Sequence, residues 1–249
     1  MKRIFLNSKP GTKSTFISTG LIILSVILLV AGIILIMIDP IKRFNRRRIS
    51  ADALKTVESK IRTSETVDVQ DKEEPQMTYI VPRRGNEVEG EAFDYIGETE
   101  ETEEEEEYYE EEYVVLNSIG ILDIRSINIR YSVWDEATQV SLRYGLGHYV
   151  DSVMPGEKGN ATILGHNYRD GSMFQRLGQV EIGDEVIFTN LDGEDLYFYV
   201  VDSEIISADE LIDYVTGDIT DEKQLTLVTC TYEYGMEGWR RVVICRMED

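Results

Sequence analysis

The chain divides into three stretches by the spacing of its apolar residues. From Phe16 to Ile38 the sequence FISTGLIILSVILLVAGIILIMI contains no charged residue. Its 23 residues, at a rise of about 1.5 Å each, make a helix of about 34 Å, which is enough to cross a hydrocarbon layer of about 30 Å. A cleaved signal peptide has an apolar core of only about 7–15 residues, and no A-x-A cleavage site follows here. The pattern predicts a retained transmembrane helix over residues 16–38, after a short cytoplasmic tail of residues 1–15.

Residues 39–112 lack a regular apolar repeat. The run ETEETEEEEEYYEEEY, from Glu98 to Tyr113, is almost entirely glutamate and tyrosine. Like charges at this density repel one another and cannot bury a core. A short helix over Ser50–Ile61, capped by Ser50, is the regular element that the pattern suggests here. We therefore expect a disordered acidic stalk over residues 39–112, a solvated spacer being favoured over calcium binding or repulsion from anionic wall polymers.

From Tyr113 to Asp249 the pattern changes to short runs rich in Val, Ile, Tyr and Phe, bounded by Gly, Asp and Asn. Helical spacing appears only at residues 136–143, 172–177 and 208–215. A sheet of many short strands avoids exposed edges by closing on itself. We expect a mainly β domain over residues 113–249, built as a closed β-barrel with short helices. The predicted strands are Ile119–Ile124, Asn128–Val133, Ala161–His166, Glu185–Asn190, Leu196–Ile206, Gln224–Cys230 and Arg240–Arg246.

Charge excludes one class of partner and gives a first indication of topology. The chain carries 25 basic and 47 acidic residues and a formal charge of −22, whereas a nucleic-acid binder needs a basic face to neutralise phosphates. By the positive-inside rule, the basic residues around the apolar stretch favour slightly a cytoplasmic C-terminal side. They are Lys2, Arg3, Lys9 and Lys13 before the stretch, and Lys42, Arg43, Arg46, Arg47 and Arg48 after it.

The candidates for chemistry are few, because the chain has two cysteines and two histidines. Cys230 and His166 each end a predicted strand where a loop begins, a partly exposed place that suits a reactive thiol and its base. Cys245 lies inside the apolar run VVIC and is expected to pack as a small hydrophobe. His148 is an alternative base, or equally a structural hydrogen-bonding group.

Two other uses of these residues are disfavoured. The spacing of the cysteines and histidines matches no common zinc site, so we expect no metal there. A disulfide needs the two cysteines to be close together. A hairpin between the last two predicted strands instead places Cys230 near Arg240 or Arg241.

An ordered set of motifs resembles the signature of the sortase family. TLVTC (Thr226–Cys230) is followed by an arginine at the start of the next strand, and ILGHN (Ile163–Asn167) places its histidine 64 residues before the cysteine. The segments GHY, PGE-GN and L-x-x-GD occur in the family's order, so the resemblance covers about 130 residues. It implies an eight-stranded sortase-type β-barrel and a cysteine transpeptidase that cleaves a C-terminal sorting signal of exported proteins and transfers the acyl group to an amine.

The resemblance also assigns roles, position by position. Cys230 matches the nucleophile, His166 the general acid and base, and Arg241 the cation that positions substrate and stabilises the oxyanion. Arg241 is preferred to Arg240 because it directly precedes the apolar run VVI, as in the family. Neighbouring side chains point to opposite faces of a strand, so only one of the two arginines can reach the cysteine.

Further expectations concern the substrate site and its cofactors. Thr229 and Asn167, which flank the two catalytic residues in these motifs, are expected to bind substrate. No cofactor is expected. The acidic loop of residues 203–223 would hold calcium only if its oxygen ligands converged, and a solvated loop is favoured.

The resemblance implies partners and a location as well. The partners would be surface proteins that carry a sorting signal, the amine of the peptidoglycan precursor lipid II, and the membrane through the N-terminal helix. Family topology places the catalytic domain outside a single-pass cell-membrane anchor, against the slight charge preference. The basic residues after the span would then contact anionic headgroups.

The subclass follows from smaller similarities. GHNYRDGSMFQRL resembles class B, whereas GLGHY and PGEKGN resemble other classes. No Asp-Pro-aromatic lid precedes the barrel and no second span follows it, so we expect a class B-like or related sortase and not a class C pilin polymerase. Anchoring to peptidoglycan is preferred; the alternatives are a pilus-related or specialised sortase, an inactive sortase-like scaffold, and a hydrolytic cysteine peptidase.

Overall fold

The computed structural model describes residues 13–64, 77–82, 113–216, 221–231 and 238–248. Its contacts divide the chain into two units, Met1–Asn45 and Arg46–Asp249. The first unit contains the N-terminal part of helix α1 (Lys13–Ser64), whose apolar side chains are largely exposed. The most apolar window of this helix has a mean hydropathy of 2.7 and no buried residue. By length and composition α1 can cross a membrane, which agrees with the predicted single-pass anchor.

The second unit begins with two elements inside the predicted stalk, in which the sequence analysis suggested only a short helix. They are the last part of α1, from Arg46 to Ser64, and strand β1 (Met77–Pro82). On the helix, Ala53, Val57 and Ile61 are buried at four-residue intervals and form an apolar stripe against the rest of the unit. The helix suggested over Ser50–Ile61 lies within α1, whereas the predicted stalk is wrong for the rest of these two segments. Residues 65–76 and 83–112, with the acidic run up to Glu112, lie outside the described residues.

Eight further strands follow. They are connected by short helices α2 (Ser141–Tyr144) and α3 (Leu211–Thr216) and by three single 3₁₀ turns at Arg125–Ile127, Phe174–Gln179 and Ala208–Glu210. The strands are β2 (Tyr113–Ile124), β3 (Ile129–Trp134), β4 (Leu146–His148), β5 (Gly159–Leu164), β6 (Glu185–Asn190), β7 (Asp195–Ser207), β8 (Lys223–Thr231) and β9 (Trp239–Met247).

These eight strands form a closed barrel. Their order is β2-β3-β4-β5-β8-β9-β7-β6, and β6 pairs back onto Gly120–Asp123 of β2. Strand β1 pairs with the first half of β2, outside the closed ring. Most pairs are antiparallel, but β3–β4 and β5–β8 are parallel. The prediction of a mainly β, eight-stranded closed barrel with short helices is confirmed.

The two faces of β8 and β9 pack against different cores. Leu225 and Leu227 of β8, with Val243 of β9, belong to the barrel interior. Val228 and Val242, at alternate positions, belong to a second cluster on the outer face. That outer cluster is completed by the connection between β7 and β8, through Ile206, Leu211 and Val215. Because side chains alternate along a strand, these assignments fix the face of every residue at the ends of β8 and β9.

Helix α1 and strand β1 cover apolar side chains of the barrel, so we expect their removal to destabilise it. Val81 of β1 and Ala53 of α1 pack with Leu116, Trp134 and neighbours in one buried cluster. Burial of a large apolar side chain stabilises by about 1.5–3 kcal/mol. A fragment of residues 112–249 should therefore melt at least about 5 °C below one of residues 46–249. Thermal unfolding followed by circular dichroism measures this, and equal melting temperatures would show that the covering elements contribute nothing.

Candidate active site

The ends of two parallel strands bring the predicted nucleophile and base together. In the register of β5 and β8, Leu164 lies beside Val228. His166 and Cys230 each come two residues later, so both lie at the same end of this strand pair. Parallel pairing over six residue pairs makes the alignment rigid. The sequence prediction that these two residues meet agrees with this placement.

Three hydrogen bonds fix the loop that carries His166 onto the end of β8. The Gly165 amide donates to the Val228 carbonyl at 3.1 Å, and the Thr229 hydroxyl donates to the Gly165 carbonyl at 2.7 Å. The Asn167 side-chain amide donates to the carbonyl of Cys230, also at 2.7 Å. The contacts of Thr229 and Asn167 thus position the two reactive residues, and their predicted contact with substrate stays a prediction.

The register between β8 and β9 bears on which arginine lies beside the nucleophile. Cys230 lies directly opposite Arg240, and Thr229 opposite Arg241. Side chains of facing residues in an antiparallel pair lie on the same side of the sheet. Arg240 therefore shares the outer face with Cys230, whereas Arg241 shares the inner face with Thr229. The prediction of Arg241 as the cation beside the nucleophile stays a prediction, and the register adds Arg240 as a second candidate.

The surroundings of Arg241 agree with an inward position. Its guanidinium donates to the Ser203 hydroxyl at 3.2 Å and lies close against Gly178, where an added Cβ would stand 2.8 Å from Nε. Arg241 does line a small cavity of about 150 Å³ together with Cys230 and Thr229. The cavity lies at the end of the strands, where residues of both faces reach it.

The two cysteines differ in exposure as predicted. Both are free thiols; Cys230 is half-buried, whereas Cys245 is 0% exposed inside the barrel. Burial raises the pKa of the Cys245 thiol, which makes it inert as a nucleophile at neutral pH. Cys245 faces Leu225, at the opposite end of β8 from Cys230.

The His166 ring lies in a strongly electropositive surrounding. Its centre lies 4.9 Å from that of the Tyr168 ring, with the two rings tilted by 48°. The guanidinium of Arg46, on α1, lies 3.6 Å from the centre of the Tyr168 ring. Burial, with the positive charges of Arg46 and Arg143, lowers the pKa of His166 to about 4. At neutral pH the imidazole is therefore uncharged and able to accept a proton.

His148, the alternative base, has a structural place. It is 4% exposed in β4, opposite Ile163 in the middle of the barrel wall. Its Nε2 contacts the Val153 carbonyl at 2.9 Å and the Ser152 hydroxyl at 3.1 Å. Burial lowers the pKa of His148, so its ring is neutral in the folded chain.

Metal binding finds no support in the part of the chain that the structure describes. No group of three or more His, Cys, Asp or Glu side chains among those residues is arranged to hold an ion. Residues 217–220 of the acidic loop, which include Asp218, lie outside that part.

The low pKa of His166 predicts the pH dependence of the reaction. The imidazole must be neutral to accept a proton, and its lowered pKa keeps it neutral down to about pH 4. We expect the acid limb of kcat/KM to fall well below pH 6.5, the ordinary value for histidine. Arg46→Gln should move this limb upward, because it removes one of the charges that lower the pKa. An NMR titration of the His166 ring measures its pKa in the native chain and in Arg46→Gln. A midpoint at 6.5 or above in the native chain would contradict this electrostatic account.

Comparison with known proteins identifies the family. A family model of the sortase domain matches residues 122–248, just over half of the chain, and includes both strand ends described above. The chain belongs to the sortase family. Sortase D of Bacillus subtilis (strain 168) is 34% identical over 122 residues, which are 48% of this chain and 57% of that protein. This sortase thus spans less than two thirds of the length of that relative.

Solved sortases give further points of similarity. Sortase C-1 of Actinomyces oris has 25% identity over 52% of this chain and 73% of its own, with a TM-score of 0.48. A sortase D5 transpeptidase of Clostridium perfringens has 26% identity over 53% and 79%, with a TM-score of 0.47. The expectation of a class B-like enzyme outside class C has no support among these relatives.

Proposed function

We propose that this sortase is a membrane-anchored cysteine transpeptidase. It cleaves the C-terminal sorting signal of exported proteins through a thioester on Cys230 and transfers the acyl group to an amine of a cell-wall precursor, lipid II. The observation that carries the proposal is the joined end of β5 and β8, where His166 and the half-buried Cys230 lie together with Arg240 opposite the cysteine. The catalytic domain faces the cell exterior.

The first half-reaction forms the acyl-enzyme. His166, neutral at physiological pH, accepts the proton of the Cys230 thiol, and the thiolate attacks the scissile carbonyl. When the tetrahedral intermediate collapses, the C–N bond breaks and the protonated imidazole gives its proton to the leaving amine. The products are a thioester on Cys230 and the released C-terminal peptide.

The second half-reaction reverses these proton transfers. An incoming amine attacks the thioester, and His166 takes a proton from its nitrogen. The C–S bond breaks, the new amide forms, and the imidazole returns the proton to the Cys230 sulfur. The enzyme is restored without any other reactant, and water in place of the amine would give hydrolysis instead.

Arg240 stabilises the negative oxygen of both tetrahedral intermediates. An arginine side chain offers several hydrogen-bond donors in a fixed plane, which suits an oxyanion. Arg240 lies opposite Cys230 across the strand pair, on the outer face that carries the side chains of Val228 and Val242. This register is why we propose Arg240, and not Arg241, for the role.

The acceptor class is part of the proposal. Anchoring to a cell-wall amine is preferred to pilin polymerisation on the grounds of the sequence motifs, and the named relatives include both class C and class D sortases. The experiment must therefore identify which amine accepts the acyl group.

The test uses the full chain in detergent micelles with a panel of sorting-signal peptides. Each peptide is incubated with and without oligoglycine or a diaminopimelate-type amine, and products are identified by mass spectrometry. A joined peptide–amine product that needs Cys230 supports the transpeptidase, and the amine used reports the acceptor. Cleavage without joining in the presence of every amine would show that the protein is a hydrolytic peptidase and not a transpeptidase. Absence of cleavage by a folded chain would favour an inactive scaffold.

A further inference from the structure

A basic cavity lies beside the His166 loop, on the side of the juxtamembrane helix. Its volume is about 440 Å³, within the range of about 300–1,000 Å³ that is typical of small-ligand sites. Among its lining residues are four arginines and one carboxylate: Arg46, Arg47, Arg130, Arg176 and Asp170. This accumulation of positive charge stands out in a chain whose formal net charge is −22.

The charges in this cavity are only partly neutralised. Arg46 and Arg47 share a single carboxylate: the Arg46 Nη2 atom lies 2.5 Å from Asp170 Oδ2, and Arg47 Nε lies 3.4 Å from the same oxygen. Arg47 also donates to the Asp170 carbonyl. The Nε of Arg46 is buried without a hydrogen-bond partner. One carboxylate thus offsets two guanidinium groups, and a buried donor is left for a further acceptor.

The other two arginines differ from each other. Arg130 is paired with Glu58 at 3.0 Å and with Asp123 at 2.6 Å, and contributes little net charge. Arg176 forms no ion pair with any residue in the described part of the chain. The cavity therefore keeps a surplus of positive charge on Arg176 and on the Arg46–Arg47 pair. Planar guanidinium groups in this arrangement suit the oxygens of a phosphate.

The sequence places this cavity close to the membrane surface. Arg46 comes eight residues after Ile38, the end of the predicted span. Eight residues reach about 12 Å as a helix and at most about 28 Å fully extended. In either case Arg46 stays within reach of lipid headgroups. This also accounts for the basic residues that follow the span against the charge rule, since two of them are held by the carboxylate of Asp170.

The same cavity is next to the acyl-transfer centre. Arg46 lies over Tyr168, and Tyr168 packs on the His166 ring. A molecule held by Arg46 is therefore separated from the catalytic imidazole by one aromatic ring. This position suits a ligand that brings the acceptor amine to the thioester.

We propose that the cavity lined by Arg46, Arg47 and Arg176 binds the phosphate or pyrophosphate group of a membrane lipid. The shared chemistry is a phosphate oxyanion carried at the membrane surface. Its two sources are the headgroup of an anionic phospholipid and the pyrophosphate of a lipid-linked cell-wall precursor. The proposal rests on the proposed function for the membrane location and for the lipid-borne acceptor, whereas the phosphate site itself is independent of catalysis.

Binding of inorganic pyrophosphate tests the site directly. The full chain with Cys230→Ala is placed in phosphatidylcholine nanodiscs and titrated with pyrophosphate by calorimetry. We expect saturable binding that Arg176→Gln and Arg47→Gln each weaken at least about fivefold, because one charge-assisted contact is lost. Arg48→Gln is the matched control: Arg48 follows Arg47 in α1 and is also exposed, but it lies outside the cavity lining. Its replacement should change the affinity less than twofold. Thermal unfolding of each variant confirms that it is folded.

A second titration, in nanodiscs of different lipid composition, distinguishes the two sources of the phosphate group. In nanodiscs that contain phosphatidylglycerol, a site open to bulk headgroups shows weakened pyrophosphate binding, and a site reserved for a pyrophosphate lipid keeps its affinity. Both results support a phosphate site. Absence of saturable binding in phosphatidylcholine discs, or equal weakening by Arg48→Gln and Arg176→Gln, would overturn the proposal. Because the Cys230→Ala chain is used, binding survives even if the proposed transpeptidation fails, and the two failures are distinguishable.

Discussion

Replacement of Cys230 by alanine is expected to abolish both cleavage of a sorting-signal peptide and its transfer to an amine. Every covalent step of the proposed reaction passes through this sulfur, and water held near His166 is a far weaker nucleophile than a thiolate. Loss of a nucleophile of this kind typically costs about 10⁴-fold or more in kcat. The rate of peptide cleavage by the full chain, followed by chromatography and mass spectrometry, measures the loss.

The matched control for this experiment is Cys245→Ala. Cys245 is fully buried among apolar side chains of the barrel and lies at the far end of β8 from the site. Its loss should leave activity within about twofold and lower the melting temperature slightly, because a small cavity forms in the core. Acyl transfer that persists in Cys230→Ala, or loss of activity in folded Cys245→Ala, would contradict the assignment of Cys230 as the nucleophile.

The second large effect concerns the two neighbouring arginines. Arg240→Ala is expected to lower kcat/KM by about 10²–10³-fold, the usual cost of losing one oxyanion donor. Arg240→Lys should recover only part of this, because a lysine lacks the planar set of donors. We expect the large loss with Arg240→Ala because the register places Arg240 opposite Cys230 on the outer face. Steady-state kinetics with a saturating amine measure kcat/KM for the unsubstituted chain and for the two Arg240 variants.

Arg241→Ala serves as the comparison at the adjacent position. Arg241 points toward Ser203 and Gly178 on the inner face, so its replacement should act mainly on stability and reduce kcat/KM less than about tenfold. A larger loss with Arg241→Ala than with Arg240→Ala would reinstate the sequence-based choice and show that the end of β9 rearranges when substrate binds.

The barrel, and the placement of Cys230 and His166 at the ends of two strands, were predictable because both depend on short-range patterns. Runs of β-branched and aromatic residues bounded by turn formers define the strands, and the family motifs locate the reactive residues at strand ends. The identity of the arginine was not predictable from alternation alone. Alternation requires that only one of two neighbours faces the thiol, but choosing between them needs the register, and the register depends on a connection whose length the pattern does not fix.

The full length of the covering helix, its packing on the barrel and strand β1 were missed for a different reason. The helix stripe of Ala53, Val57 and Ile61 is one residue wide and surrounded by charged residues, so it gives a weak helical signal that becomes decisive only when packed on the barrel. In β1 the alternation was detectable, since the side chains of Met77 and Val81 are buried while the intervening Thr78 and Ile80 are exposed. The acidic surroundings hid this signal when composition was averaged over residues 39–112.

The central claim is that acyl transfer proceeds through a covalent bond to Cys230. The most direct test is the intact mass of the full chain after brief reaction with a sorting-signal peptide and acid quenching, with the modified residue located by digestion. The account predicts a mass increase equal to the acyl fragment, on Cys230, that disappears on addition of an amine as the joined product forms. Turnover of the peptide with no adduct on Cys230, or an adduct located on another residue, would contradict it.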